Sequence, residues 1–368
     1  MSDILAEAAD RSVHVRLRPA APVTLHGEVS WRADGNCPIR ATPQGATALF
    51  SVYEPIGRTY RREMTADLRF EGEPVPVRLL EDRDTQTGKW IEAMWAAPDG
   101  TLRGWYHAEE RAPCSRPLFV PHIGEMISHD DGRSWRILGE LLRLPAEEID
   151  CSWRNGFFAG GYGDLCVVPD RAARALLLFF TSYRRDPAAQ GVSVARLPIE
   201  TPYAPQNATW WTPAGWRPLG EGIPRPLWPP ARGWQHADPD GFWGPAVHYN
   251  RGLGAHVMLL NRTAGGSSDL VQEGIYVSIN RRIDDPTAWT EPLPIIKGGA
   301  WYPQVVGLEP GYGDAEATGT ARFFMAGFSA WTIEFDEPAA GQPAPNRPWH
   351  PTAEDFARTF GAGRRCPW

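Results

Sequence analysis

Apolar and polar positions along the chain recur in one outline: a polar or Gly/Pro entry, a short apolar strand, a turn, and a second, more strongly apolar strand ending in polar residues. Five segments follow it. They run Cys37-Pro-Ile with Ala48-Leu-Phe-Ser-Val-Tyr-Glu54, Ile91-Glu-Ala-Met-Trp95 with Gly104-Trp-Tyr-His-Ala-Glu109, Asp164-Leu-Cys-Val-Val168 with Leu176-Leu-Leu-Phe-Phe-Thr-Ser-Tyr183, Pro245-Ala-Val-His-Tyr249 with His256-Val-Met-Leu-Leu-Asn261, and Pro303-Gln-Val-Val-Gly307 with Arg322-Phe-Phe-Met-Ala-Gly327. Successive units begin roughly 54 to 81 residues apart, a period suited to paired strands with decorated loops. Several are followed by further strand-like material: Gly191-Val-Ser-Val-Ala-Arg196 with Trp210-Trp211, Ile275-Tyr-Val-Ser-Ile-Asn280, and Trp331-Thr-Ile-Glu-Phe335.

Five such units predict an all-β fold, a single five-bladed β-propeller over residues 31–336. The last unit has too little material of its own for a complete sheet, so residues 1–30 are expected to complete it and close the ring. Within that segment, 2–9 read as a helical turn, and 13–17 and 23–29 as strands. The Pro-rich tail, 337–368, carries Thr352-Ala-Glu-Asp355 as the cap of a short helix ending near Gly361. Long Pro/Trp/Gly loops, above all 200–244, decorate one face.

Ser128-His-Asp130-Asp-Gly132-Arg-Ser134-Trp135 fits the Asp-box pattern, Ser-x-Asp-x-Gly-x-Ser/Thr-Trp, at every specified position. Asp130 can accept backbone N–H bonds within a tight turn, Gly132 can take positive φ, and Trp135 can fold back as a plug. Such a turn belongs to a blade's outer part and is a matter of architecture, not of ligand.

Composition agrees with a loop-rich β-globule: 36 Pro and 37 Gly punctuate 368 residues of which 42% are hydrophobic. The 17 Trp divide between blade packing and sugar-stacking platforms, with packing the larger share. A net charge of −7 without a clustered basic face argues against nucleic acid as partner. No apolar run is long enough for a membrane-spanning helix, so no membrane partner is expected. Five Cys form no CxxC pair or zinc spacing. With no apolar leader segment, they read as reduced thiols of a cytoplasmic protein, or of a secreted one whose signal peptide has been removed.

A hairpin at the centre of each blade places the start of its first strand and the end of its second on one face of the ring. Polar residues there should converge: Asp34, Asn36 and Glu54; Glu92, His107 and Glu109; Asp164, Tyr183 and Arg184; then Asp240, His248, Asn261, Arg262 and Gln304. Several carboxylates around one funnel are what glycosidic cleavage needs, one held protonated to donate to the leaving oxygen and another ionised. Asp164, Asp34, Glu92 and Glu109 are the catalytic candidates; His107, Asn36, Tyr183, Arg184, His248, Arg262 and Gln304 are the substrate-binding ones. Asp164 ranks first, because it follows the Gly-rich run 156–163, where backbone can approach a ligand or the axis. His122 and Glu125 read as structural, and His-x-x-Glu without a third partner indicates no metal site.

The five units, the Asp-box turn and these carboxylates resemble the five-bladed propeller glycoside hydrolases of the arabinanase/β-xylosidase and invertase/fructosidase clans. Asp34-Gly-Asn36-Cys-Pro38 is similar to the Asp-Pro-Asn-Gly motif of the invertase group, with Gly for Pro and Cys for Gly; the resemblance implies Asp34 as nucleophile. Gly163-Asp164 resembles the inner-strand carboxylates of the arabinanase group. The expectation is a carbohydrate-active enzyme, a glycoside hydrolase working without an organic cofactor on a carbohydrate or glycosylated small molecule. A structural Ca²⁺ at the axis stays open. The alternatives are a non-catalytic propeller that binds glycans or a partner, and a propeller lyase, isomerase or cyclase acting on a small metabolite.

Overall fold

The computed structural model describes residues 3–8, 11–25, 32–42, 45–53, 57–65, 68–82, 84, 87–170, 172, 174–264 and 271–337. They form five sheets of four or five strands. Blade I holds Ile39–Thr42, Gly45–Val52, Arg58–Met64 and Phe70–Pro76 in that order. Blade II runs Gly88–Ala96, Leu102–Arg111, Phe119–Ser128 and Ser134–Leu142, with Arg78–Leu80 added in parallel at its rim. Blade III holds Tyr162–Asp170, Ala175–Ser182, Gly191–Pro198, Thr209–Thr212 and Gly215–Pro218. Blade IV starts from Asp240–Asn250, Ala255–Ala264, Gln272–Asn280 and Leu293–Lys297, and blade V from Pro303–Gly307, Thr320–Met325 and Phe328–Asp336. The fold is a five-bladed β-propeller, and each recurring unit of the sequence forms the inner two strands of one blade.

Blade V takes its outer strands from the other end of the chain. Arg11–Thr24 pairs antiparallel with Phe328–Asp336, and Asp3–Ala8 pairs with Arg11–Thr24. The helical turn expected over 2–9 is therefore corrected to a strand: its backbone groups find partners across a hairpin, which a short local helix would leave to solvent. The expected helix near 352–361 and Glu54 lie outside the described residues.

Each blade is covered on both faces, which explains the near-continuous apolar runs of the second strands. In Ala175–Ser182, Leu176, Leu178 and Phe180 pack into the seam with blade II, while Leu177 and Phe179 pack into the seam with blade IV. The interior is thus a set of seams around an axis. Fully burying one such side chain contributes about 1.5–3 kcal/mol.

Turn 128–135 joins the third and fourth strands of blade II. Asp130 accepts from the Ser134 backbone N–H at 2.8 Å and its hydroxyl at 2.6 Å. Gly132 sits at φ +78°, and the indole of fully buried Trp135 donates back to the Gly132 carbonyl at 3.0 Å.

The reduced-thiol expectation is also corrected. Cys114 and Cys151, 37 residues apart in sequence, form a disulfide with their Cα atoms 5.4 Å apart. Each lies in a loop that leaves a different strand of blade II, a proximity no spacing rule reveals. Cys37 and Cys166 are buried free thiols, and burial pushes both upward in pKa.

Candidate active site

Three blades deliver acids to one place near the axis. On blade I, Asp34 precedes the inner strand, its N–H bonded to the Ser51 carbonyl at 2.8 Å. Gly35 has φ +144°, and a Cβ there would stand 2.7 Å from Glu92 Oε1, so only glycine allows this approach. Asn36 follows, donating from Nδ2 to the carbonyls of Leu165 (2.8 Å) and Pro245 (2.9 Å) and so tying blade I to blades III and IV.

On blade II the register slips between Ile91 and Ala93, leaving Glu92 as the extra residue of a bulge. Its carboxylate is 1% exposed, accepts from the Leu165 N–H at 2.6 Å, and has Oε1 2.8 Å from His107 Nδ1. That last pair is off the line of the ring N–H, making it an ion pair rather than an aligned hydrogen bond. Glu109, two residues along the strand, has Oε1 4.0 Å from His107 Nε2. Trp90 is the direct cross-strand partner of His107, stacks on its ring at 4.8 Å, and donates its indole N–H to Asp34 Oδ2 at 3.1 Å.

On blade III a second bulge, between Gly163 and Leu165, sets Asp164 apart at φ +45°. This is a left-handed conformation that costs most L-residues energy and that Asp tolerates better than most. The Asp164 carboxylate accepts from the hydroxyls of Tyr183 and, at 3.1 Å, Tyr302 of blade V.

Burial dominates the electrostatics. It pushes Asp34 up to about 6, against the opposing effects of His107 and the Trp90 hydrogen bond. It pushes Glu92 and Glu109 up to about 7, against the attraction of His107. Burial alone would lower His107, but the charge of Glu92, with Asp164 and Glu109 behind it, raises it to about 9. The site is one imidazolium among four acids, of which Asp34 and Glu109 retain some contact with solvent.

Beside the acids stands an aromatic wall. Tyr183 packs on Phe158 at 4.6 Å and edge-on to Trp234 at 4.9 Å; Trp243 of blade IV meets Trp301 at 5.5 Å and Tyr302 at 5.6 Å. Asn155 braces it, its Oδ1 accepting from the N–H groups of Phe157 and Phe158 and its Nδ2 donating to the Trp234 carbonyl.

Asp34, Glu92, His107, Glu109, Asp164 and Tyr183 are thus brought together. Others are engaged elsewhere. Arg184 is held by Glu148, its Nε donating at 2.9 Å, and Arg262 by Asp240 at 3.0 Å and the Tyr276 hydroxyl at 3.2 Å. Asn261 bonds Gln272 on the neighbouring strand. Gln304 binds the Cys37 backbone in both directions. His248 lies with Asn36, Glu92, Cys166, Gln304 and Asp314 around an axial cavity of about 20 Å³, where burial drives it down to about 3 and Asp314 up to about 7. Trp90, Trp243 and Tyr302 were not among the expected site residues. A signal existed for two of them: Trp243 and Tyr302 stand just before Pro245 and Pro303, where their units begin.

Glu92, His107 and Asp164 each offer a ligand atom within 4.8 Å of the others. A dication binding there would compete with the proton that the charges of Glu92 and Asp164 favour on His107.

No protein-family model matches this chain, and no curated protein matches it. Among solved structures, it is similar to a glycosyl hydrolase from Bacteroides ovatus over 86% of this chain and 87% of that one, at 13% identity and TM-score 0.46. It is similar to an exo-β-1,3-galactanase from Phanerochaete chrysosporium over 90% of this chain and 66% of that one, at 11% identity and TM-score 0.46. The corresponding values for xylan β-1,4-xylosidase from Bacillus halodurans are 90%, 60%, 13% and 0.42. No site residue is carried over from any of them.

Proposed function

We propose that this protein is a carbohydrate-active enzyme that cleaves a glycosidic bond at the Asp34–Glu109–Asp164 cluster. The observation that carries the reading is the difference in surroundings among the acids: Glu109, partly open to solvent, is pushed up to about 7 by burial, while the Asp164 carboxylate is held in place by hydrogen bonds from the hydroxyls of Tyr183 and Tyr302. In this reading Glu109 donates its proton to the glycosidic oxygen as the bond from that oxygen to the anomeric carbon breaks. Asp34 supplies the ionised carboxylate that attacks the anomeric carbon or activates water, and Asp164 stabilises the positive charge developing on the sugar. Glu92, at 1% exposure, orients His107 rather than touching substrate. The aromatic wall supplies faces on which a sugar ring stacks.

The test is hydrolysis of a panel of aryl and alkyl glycosides by the parent and by Glu109→Gln. Loss of a general acid should slow alkyl glycosides by ~10²–10⁴-fold but spare substrates with strongly acidic leaving groups, which need no proton. A folded Glu109→Gln protein that cleaves alkyl glycosides at the parent rate removes Glu109 from this role. The anomer first released, read by proton NMR, tells attack by Asp34 from activation of water.

The wall of Phe158, Tyr183, Trp234, Trp243 and Tyr302 also supports a second reading, a lyase or cyclase acting on a small metabolite, because aromatic faces stabilise a cationic intermediate. Product analysis separates the two, since only hydrolysis incorporates oxygen from labelled water.

A further inference from the structure

Trp90 crosses the seam between blades I and II. Its ring edge is gripped by two glycines, Gly57 of blade I and Gly88 of blade II; a Cβ on either would lie 2.6 Å from the indole. One ring face lies against the His107 imidazole at an interplanar angle of 13°, and the indole N–H reaches Asp34. The side chain is 3% exposed, so neither contact competes with bulk water. Gly57, Gly88 and the cross-strand register leave the ring one orientation, and that orientation serves two members of the acid cluster on different blades.

We propose that Trp90 is a positioning residue of this site, fixing the Asp34 carboxylate through its indole N–H and the His107 imidazolium through its ring face. The hydrogen bond favours ionised Asp34, and the ring face favours protonated His107. Besides Trp90, Asp34 is faced by His107 and Glu109 from blade II, Asp164 from blade III and Tyr302 from blade V. Of these groups only Trp90 combines a neutral hydrogen bond to Asp34 with a stack on His107.

The kinetic arm of the test rests on the glycosidase reading; the spectroscopic arms do not. In unmodified protein labelled with ¹⁵N-tryptophan, the Trp90 indole N–H resonance should move with a midpoint near 6, following Asp34, and should stop moving in Asp34→Asn. Trp90→Phe keeps a ring face and removes the N–H. In that variant the acidic limb of kcat/KM should rise by about one pH unit, with kcat down ~10-fold and KM within about 3-fold. Trp90→Leu removes both features, and the His107 midpoint, read in ¹⁵N-histidine-labelled protein, should fall in it while staying near the parent value in Trp90→Phe. An indole resonance blind to Asp34, or folded variants with the acidic limb and the His107 midpoint both unchanged, overturns the proposal. A parent protein without hydrolytic activity defeats the glycosidase reading alone, because both NMR arms still decide the role of Trp90.

Discussion

Blade II carries two histidine–carboxylate groups of nearly the same composition on opposite faces of one sheet. His107 with Glu92 and Glu109 faces the acid cluster. His122, opposite Ala108 in the ladder, faces Glu110 and Glu140. In the first group no arginine intervenes among the described residues, burial raises the acids to about 7, and their charge lifts His107 to about 9. In the second, Arg143 forks between Glu110, at 2.7 and 2.8 Å, and Glu140, holding both acids down, while burial and the same guanidinium push His122 down to about 4. Identical residue types therefore become a proton-bearing cluster in one place and a saturated surface ion network in the other. The difference lies in one supplied counter-charge and in access to water.

The largest expected effect breaks this comparison directly. Asp164→Asn keeps the side-chain shape but removes the charge next to the first group, and turnover should fall ~10²–10⁴-fold with little change in Tm. Arg143→Ala should leave turnover within a few-fold. Full activity in a folded Asp164→Asn protein, or its loss in Arg143→Ala, would reverse the assignment of the two groups.

Next in size is the disulfide, which ties the loop that follows Leu102–Arg111 to the loop that follows Ser134–Leu142. Opening a loop of this length should cost about 3–4 kcal/mol, measured as a lower denaturant midpoint after reduction. Turnover of the folded fraction should persist.

The pH dependence of stability should split between the two histidines. His107 is raised from 6.5 to about 9, so its contribution is fully present below pH 6.5 and is lost as pH rises towards 9. Glu92 and Glu109, raised to about 7, also favour the folded state when protonated, and their contribution fades from about 4.5 upwards. His122 runs the other way: lowered to about 4, it stabilises the folded state above pH 6.5 and loses that contribution as pH falls towards 4. Tm scans should show His107→Gln flattening the alkaline limb and His122→Gln the acidic one; a swap of limbs would refute both environments.

The smallest effect is expected at the outer turn. Asp130→Ala removes bonds to the Ser134 N–H and hydroxyl, at about 1–3 kcal/mol, without altering turnover. A variant that melts like the parent but loses activity would connect this turn to the site.

What could be read from the sequence is what neighbouring residues settle among themselves. Paired apolar strands recur because each blade is covered on both faces. Turn 128–135 is legible because Asp130, Gly132 and Trp135 satisfy one another within eight positions. The rule that strand starts and ends share a face reached Asp34, Glu92, His107, Glu109, Asp164 and Tyr183, since a hairpin fixes that geometry locally. What only the tertiary structure decided depends on groups far apart in sequence. Glu92 turns inward through a bulge and meets Leu165; Tyr302 reaches Asp164 across the axis; Asn36 spans three blades; Cys114 meets Cys151. Charge state belongs to the same class, because no spacing announces that Arg143 will neutralise Glu110 and Glu140 while Glu109, one residue away, is left to share its proton with a buried cluster. Desolvation and counter-charges are properties of the space around a residue, and closing the ring of blades is what creates that space.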